Sequence, residues 1–134
     1  MSAQSWRKKY YLHEADSETA LAVPAAHSLL KWRGFEDLEA HGLKPLLGAT
    51  LEDADGNELE TGCALCKKAK LDAENEADGY CEKCVLYKVR DNVPCDEERP
   101  DEDYSPWSLW CATYNPKPMI HWLEIAAKRE AEEN

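Results

Sequence analysis

Two Cys-x-x-Cys pairs, Cys63-Ala-Leu-Cys66 and Cys81-Glu-Lys-Cys84, stand fourteen residues apart and constrain this chain more than any other feature. Two residues between cysteines let a tight knuckle aim both sulfurs at one point. Two knuckles then supply four thiolates for a tetrahedral ion. Zn²⁺ favours that set, with Zn–S about 2.3 Å. The spacer lies at or just below the length usual for paired Cys-x-x-Cys zinc sites. Cys63, Cys66, Cys81 and Cys84 are therefore the expected ligands of a structural Zn²⁺. Cys95, which follows a Pro, is the alternative ligand if one member of a pair does not coordinate.

A staple of this kind has a purpose here. Gly, Pro and charged residues gather between positions 45 and 106, so an apolar core forms mainly from the two ends. In a chain of 134 residues the middle then needs metal to hold it. The expected fold is α+β: a small zinc-ribbon-like module of four cysteines with a β-hairpin, flanked by N- and C-terminal helices. Residues 1–44 form an aromatic arm and short helices, 45–104 the hairpin, the zinc module and an acidic loop, and 105–134 the closing helices. The first residues carry no apolar run after their charges, as a secretory signal would, and no stretch approaches a membrane span. The expected setting is a reducing cytoplasm, where such cysteines bind metal rather than pair as disulfides.

Along the chain, Trp6, Tyr10 and Tyr11 are expected to pack an arm onto the body. Pro24 suits the first turn of a helix, with Leu29, Leu30 and Trp32 on its apolar face and Gly34 as its stop. A short second helix follows to His41, ended by Gly42. His27 and His41 have no cysteine at finger spacing and read as structural. Residues 46–62 read as a hairpin turning at Asp55-Gly56, the two-residue signal. A calcium loop fails there on register, because Leu51 would occupy the first ligand position. It fails again around Gly79, where Val85 would stand at the twelfth position. Lys67, Lys68 and Lys70 lie beside the first knuckle, and an acidic stretch leads to the second.

After Cys84 an apolar run, 85–90, ends in a turn at Asp91-Asn92. Residues 96–103 carry six acids and one Arg: Asp96, Glu97, Glu98, Asp101, Glu102 and Asp103 around Arg99. Such a run is ordinarily a solvated loop; as the densest negative patch it is also the candidate contact for a basic partner. Ser105-Pro106 signals a helix start, with Trp107 and Trp110 on one face for core packing and Cys111 as a buried thiol. Asn115-Pro116 opens the last helix. Met119, Trp122, Leu123 and Ala126 form its stripe, with His121 beside it, and its Lys, Arg and Glu tail is solvated.

Charge limits the function classes. The net charge is −11 from 16 basic and 27 acidic residues, and four thiolates around a dication add two further negative charges. Sequence-independent nucleic-acid binding needs the opposite balance. The chain is not expected to be an enzyme. Four thiolates close the zinc to water, there is no His-x-Glu of a zinc deaminase, and neither a phosphate-cradling Gly loop nor a GxSxG occurs. A dithiol redox role would want Cys-x-x-Cys opening a helix in a βαβ setting. The alternative is a zinc ribbon that binds nucleic acid or regulates transcription through Lys67, Lys68, Lys70, Lys83, Lys88 and Arg90.

From Cys63 onward the chain resembles small uncharacterised proteins of phages and prophages. The resemblance rests on Cys63-Ala-Leu-Cys66, Cys81-Glu-Lys-Cys84-Val-Leu-Tyr, Val93-Pro-Cys95, Ser105-Pro-Trp107 and Pro118-Met-Ile120, and covers about half the chain. It implies a zinc-binding phage protein, resident in the host cytosol, and carries no activity with it. A Cys equivalent to Cys95 belongs to the resembling pattern. Together these observations predict a non-enzymatic, zinc-stabilised acidic protein that docks on a basic, nucleic-acid-handling host or viral protein. Inhibition of the anti-restriction or anti-CRISPR type would use the same charge.

Overall fold

Ser105 and Pro106 start a helix as their identities dictate: the Ser105 hydroxyl accepts the N–H of Ser108 at 3.1 Å, and Pro106 stands in the first turn. The same logic sets Pro24 at the start of its helix, but Gly34 is no left-handed stop: it is the last helical residue, and Phe35 caps the helix at φ −67° and ψ −18°. The computed structural model describes residues 3–72 and 84–133. Cys81 and the acidic spacer before it lie outside the described residues.

The elements run α1 (Ala3–Tyr10), α2 (Glu18–Ala22), α3 (Pro24–Gly34), β1 (Lys44–Leu47), β2 (Thr50–Glu52), β3 (Glu58–Glu60), α4 (Ala64–Asp72), α5 (Val85–Val89), α6 (Pro106–Thr113) and α7 (Lys117–Glu133). The fold is thus α+β, helices around a small antiparallel sheet of order β1-β2-β3. The expected second helix to His41 shrinks to a single 3-10 turn, Glu39–His41, closed by Gly42.

The expected hairpin is present but differs in two ways. The run from Leu46 to Leu51 is two strands, not one. Gly48, at φ +55°, turns the chain between Leu47 and its partner Thr50. The second turn is longer than a two-residue Asp-Gly loop. Asp53 and Asn57 still bond (Asp53 N–H to Asn57 O, 3.0 Å), so residues 54–56 form a three-residue loop. The Asp53 carboxylate fixes it by accepting the N–H groups of Asp55 and Asn57, each at 2.9 Å.

The core draws on both ends and on the middle. Trp6 stacks on Phe35 (centroids 6.1 Å apart), and Phe35 stacks on Trp110 (4.7 Å), so one aromatic column joins α1 to α6. Leu51, Leu65 and Leu86 bring β2, α4 and α5 into the same cluster, and α7 adds Met119, Leu123 and Ala126. The arm's aromatics do pack on the body, as a helix. Its approach to α3 is so close that a Cβ on Gly34 would stand 2.6 Å from Tyr10.

Several surface assignments change. On α3 Leu30 is exposed, and the inward face is Ala25, Ser28, Lys31 and Trp32. Cys111 is exposed rather than buried, because it follows the inward-facing Trp110 by one position and so points away from the core. The α7 tail is not wholly solvated. Glu130 accepts the N–H groups of Ala25 and Ala26 at 2.9 and 3.3 Å, capping α3, whose own flanking residue Val23 has no side chain to do so. His27 bonds the His13 carbonyl through Nε2, and His41 meets Ser5 and Asp37, so both serve local structure.

Candidate thiol centre and acidic loop

Cys63 follows the sheet directly and caps α4. Its carbonyl accepts the Lys67 N–H at 3.0 Å, and its sulfur accepts both the backbone N–H and the thiol of Cys66. A sulfur thus occupies the place a Ser or Asp oxygen takes at other helix starts. The first knuckle is therefore a strand-to-helix junction and not a turn between strands. Hydrogen bonds from Cys66, and the nearby Lys31 ammonium, hold the Cys63 thiol down at about 5 despite its burial. Cys66 is pushed up, because it gives its proton to Cys63 and lies in an apolar, electron-rich surrounding that includes Cys95 and Cys84.

Four cysteines from three stretches thus come within electrostatic reach of one another: Cys63 and Cys66 at α4, Cys84 at the start of α5, and Cys95 beyond it. Cys95 is set by its carbonyl, which accepts the Trp107 N–H at 3.1 Å. Cys63, Cys66 and Cys95 line one cavity of about 360 Å³, floored by Trp32, Leu65, Leu86, Met119 and Leu123. Among the described residues, no group of three His, Cys, Asp or Glu side chains is arranged to hold a metal ion. The donor chemistry nonetheless suits zinc: thiols alone, with no His in the set.

No motif pointed to Lys31. It lines the same cavity, 1% exposed, and its Nζ donates to the Gly62 carbonyl at 2.5 Å. Burial lowers its pKa, and the thiols of Cys63, Cys66 and Cys95 oppose that shift. Ser28 stands one turn away, its hydroxyl 4.0 Å from the Cys63 sulfur. A Lys within a helical stretch reads as solvated; only its spacing of three from Ser28 and four from Phe35 placed it on the inner stripe.

The acidic run 96–103 is an ordered loop wrapped around a buried arginine. Arg90, fully buried, donates to both oxygens of Glu102 at 2.9 and 3.0 Å and to the Glu97 carbonyl at 2.8 Å. Arg99 pairs with Asp91 at 2.7 Å and lies 3.8 Å from Asp101. Both guanidinium groups lie over the Trp122 ring, 5.2 and 4.9 Å from its centroid. Glu102 is thereby committed inward. Asp96, Glu97, Glu98, Asp101 and Asp103 remain exposed.

The basic set near the knuckles is thinner than its sequence suggests. Arg90 is consumed by Glu102, and Lys68 pairs with Asp72 at 2.9 Å. Lys67 and Lys88 are exposed, and Lys83 lies outside the described residues. Among the described residues no helix is long and apolar enough to cross a membrane. No protein-family model matches this chain, and no curated protein or solved structure is significantly similar to it.

Proposed function

We propose that this chain is a non-enzymatic binding protein, stapled by a thiolate-held Zn²⁺, that docks an ordered acidic loop on a basic, nucleic-acid-handling protein. One observation carries the docking reading. Arg90 and Arg99 fix the 96–103 backbone while leaving Asp96, Glu97, Glu98, Asp101 and Asp103 in solvent. A surface already ordered before binding loses less conformational freedom on association, and its charge speeds encounter with a basic face. Cys63, Cys66 and Cys84 would hold the metal, completed by Cys81 or by Cys95, and Cys95 lines one cavity with the first pair. Bound zinc would supply only cross-linking, since four thiolates leave no position for water. The phage-like pattern suggests a host or viral machine as partner and inhibition as the effect.

The test is capture from host lysate on immobilised protein at low and high salt, with zinc measured on the bait. A variant with Asp96, Glu97, Glu98, Asp101 and Asp103 changed to their amides serves as control. The expected result is a nucleic-acid enzyme retained at low salt, released by high salt and lost with the variant. Retention unchanged by salt and by the variant overturns acidic docking. Recovery of DNA or RNA on the wild-type bait would favour the zinc-ribbon reading instead.

A thiol–disulfide role is the second reading, favoured by Cys63 standing directly before α4 with its thiol held below the ordinary range by Cys66 and the nearby Lys31. The preceding elements are a β-meander and not a βαβ unit. Protein isolated without metal and with a Cys63–Cys66 disulfide would support this role over the staple.

A further inference from the structure

Two cations lie fully buried among the described residues, and they are treated differently. Arg90 has Glu102 across a two-pronged ion pair. Lys31 has two neutral partners, the Gly62 carbonyl and the Phe35 ring, whose centroid lies 5.9 Å from Nζ, and among the described residues it forms no ion pair with a carboxylate. An ammonium sealed in an apolar interior is strongly destabilising unless a negative group faces it. Its cavity is lined by the sulfurs of Cys63, Cys66 and Cys95, which act on it electrostatically, and at the rim by the exposed Asp96 carboxylate, which forms no ion pair with it.

We propose that Lys31 is the built-in counter-charge of the thiolate metal centre, a positioning residue that touches no metal yet sets how tightly the metal is held. Four thiolates around a dication leave two negative charges in a site walled by Trp32, Leu65 and Leu86. One ammonium at the wall halves that excess. Its hydrogen bond adds a second role. Gly62 directly precedes Cys63, so the bond from Nζ to the Gly62 carbonyl fixes the backbone that aims the first sulfur. The position on α3, far from the cysteines in sequence, is the reason such a residue belongs to no motif.

This inference rests on the zinc reading, and the experiment separates the two failures. Zinc content and affinity, the latter by competition with a chromophoric chelator, are measured on the full chain for wild type, Lys31→Gln and Lys31→Met. Lys31→Gln removes the charge and retains an N–H donor, one bond shorter than the lysine, on the side facing Gly62. Both variants are expected to bind zinc about 10–100-fold more weakly, the range for groups that support ligands without being ligands. Metal-free Lys31→Met is expected to resist denaturant better than metal-free wild type, since an unneutralised charge has been taken out of the interior. A structural lysine would move the metal-free and metal-bound proteins together and leave affinity alone. Equal zinc affinity in wild type and Lys31→Gln overturns the counter-charge. So does failure of Lys31→Gln to fold in excess zinc, which would make Lys31 part of the fold itself. A wild-type chain that binds no zinc overturns the metal reading and this inference with it.

Discussion

Arg90 and Glu102 form a two-pronged ion pair, at 2.9 and 3.0 Å, with the guanidinium wholly shielded from solvent. They lie twelve positions apart, and the loop between them holds the first part of the acidic run, from Asp96 to Asp101. The pair therefore links the end of α5 to the chain entering α6. Removing Glu102 leaves a buried cation unpaired, so Glu102→Ala should cost about 3 kcal/mol in denaturant unfolding. The double variant Arg90→Met, Glu102→Leu should recover part of that loss, because no charge is then stranded.

The same pair gives an acid limb to stability. Burial pushes the Glu102 carboxyl up, but the Arg90 guanidinium and the Arg99 N–H more than offset it, leaving it below the ordinary value of 4.5. A carboxyl depressed in the folded state contributes stability that is fully present above the unfolded value. That contribution is lost as pH falls through the folded value. Thermal melts from pH 6 downward, about the range that brackets this window, should show wild type losing more stability than Glu102→Gln.

Gly34 is fixed by contact. A Cβ there would stand 2.6 and 2.7 Å from Tyr10 carbons and 2.8 Å from the Trp6 indole nitrogen, which donates to the Gly34 carbonyl at 2.9 Å. Gly34→Ala must push α1 away from α3. Its expected cost is about 1–3 kcal/mol, read by chemical denaturation, with a change in Trp fluorescence as the Trp6 stack on Phe35 opens.

Glu130 acts as a cap supplied from another helix. Glu130→Ala leaves the Ala25 and Ala26 N–H groups without their partner. A loss of about 1 kcal/mol is expected, and hydrogen exchange should show faster exchange confined to the first turn of α3.

The cysteines should separate by metal content. Cys63→Ser and Cys66→Ser are expected to lose zinc, and a strong chelator should lower the melting temperature of the wild type to theirs. Cys111→Ser, altering an exposed thiol on α6, should keep full zinc content and stability within about 0.5 kcal/mol.

Much of this architecture is local and was legible in residue identities. Gly34 answers a contact with the distant Tyr10, but Pro24, Ser105 and Pro106 mark helix starts because the residue itself meets a local need of the backbone. Gly56, at φ +84°, marks the hairpin for the same reason. The two strands hidden in Leu46 to Leu51 were not legible, because Gly48 turns the chain where Trp110 donates to its carbonyl at 2.8 Å, a partner sixty-two residues away. Spacing alone singled out the cysteines, whereas only folding brought Cys95 to the cavity of Cys63 and Cys66. Lys31 and Glu102 were hidden for a common reason. A charged side chain goes inside when an opposite or polar partner waits there, and for Lys31 and Glu102 those partners, the Gly62 carbonyl and Arg90, arrive from other stretches of the chain. Sequence thus determined the starts of α3 and α6, the turn at Gly56 and the paired spacing of the thiols. Tertiary structure decided which charges are sealed in and which face a partner, since burial of a charge depends on neighbours that are distant along the chain.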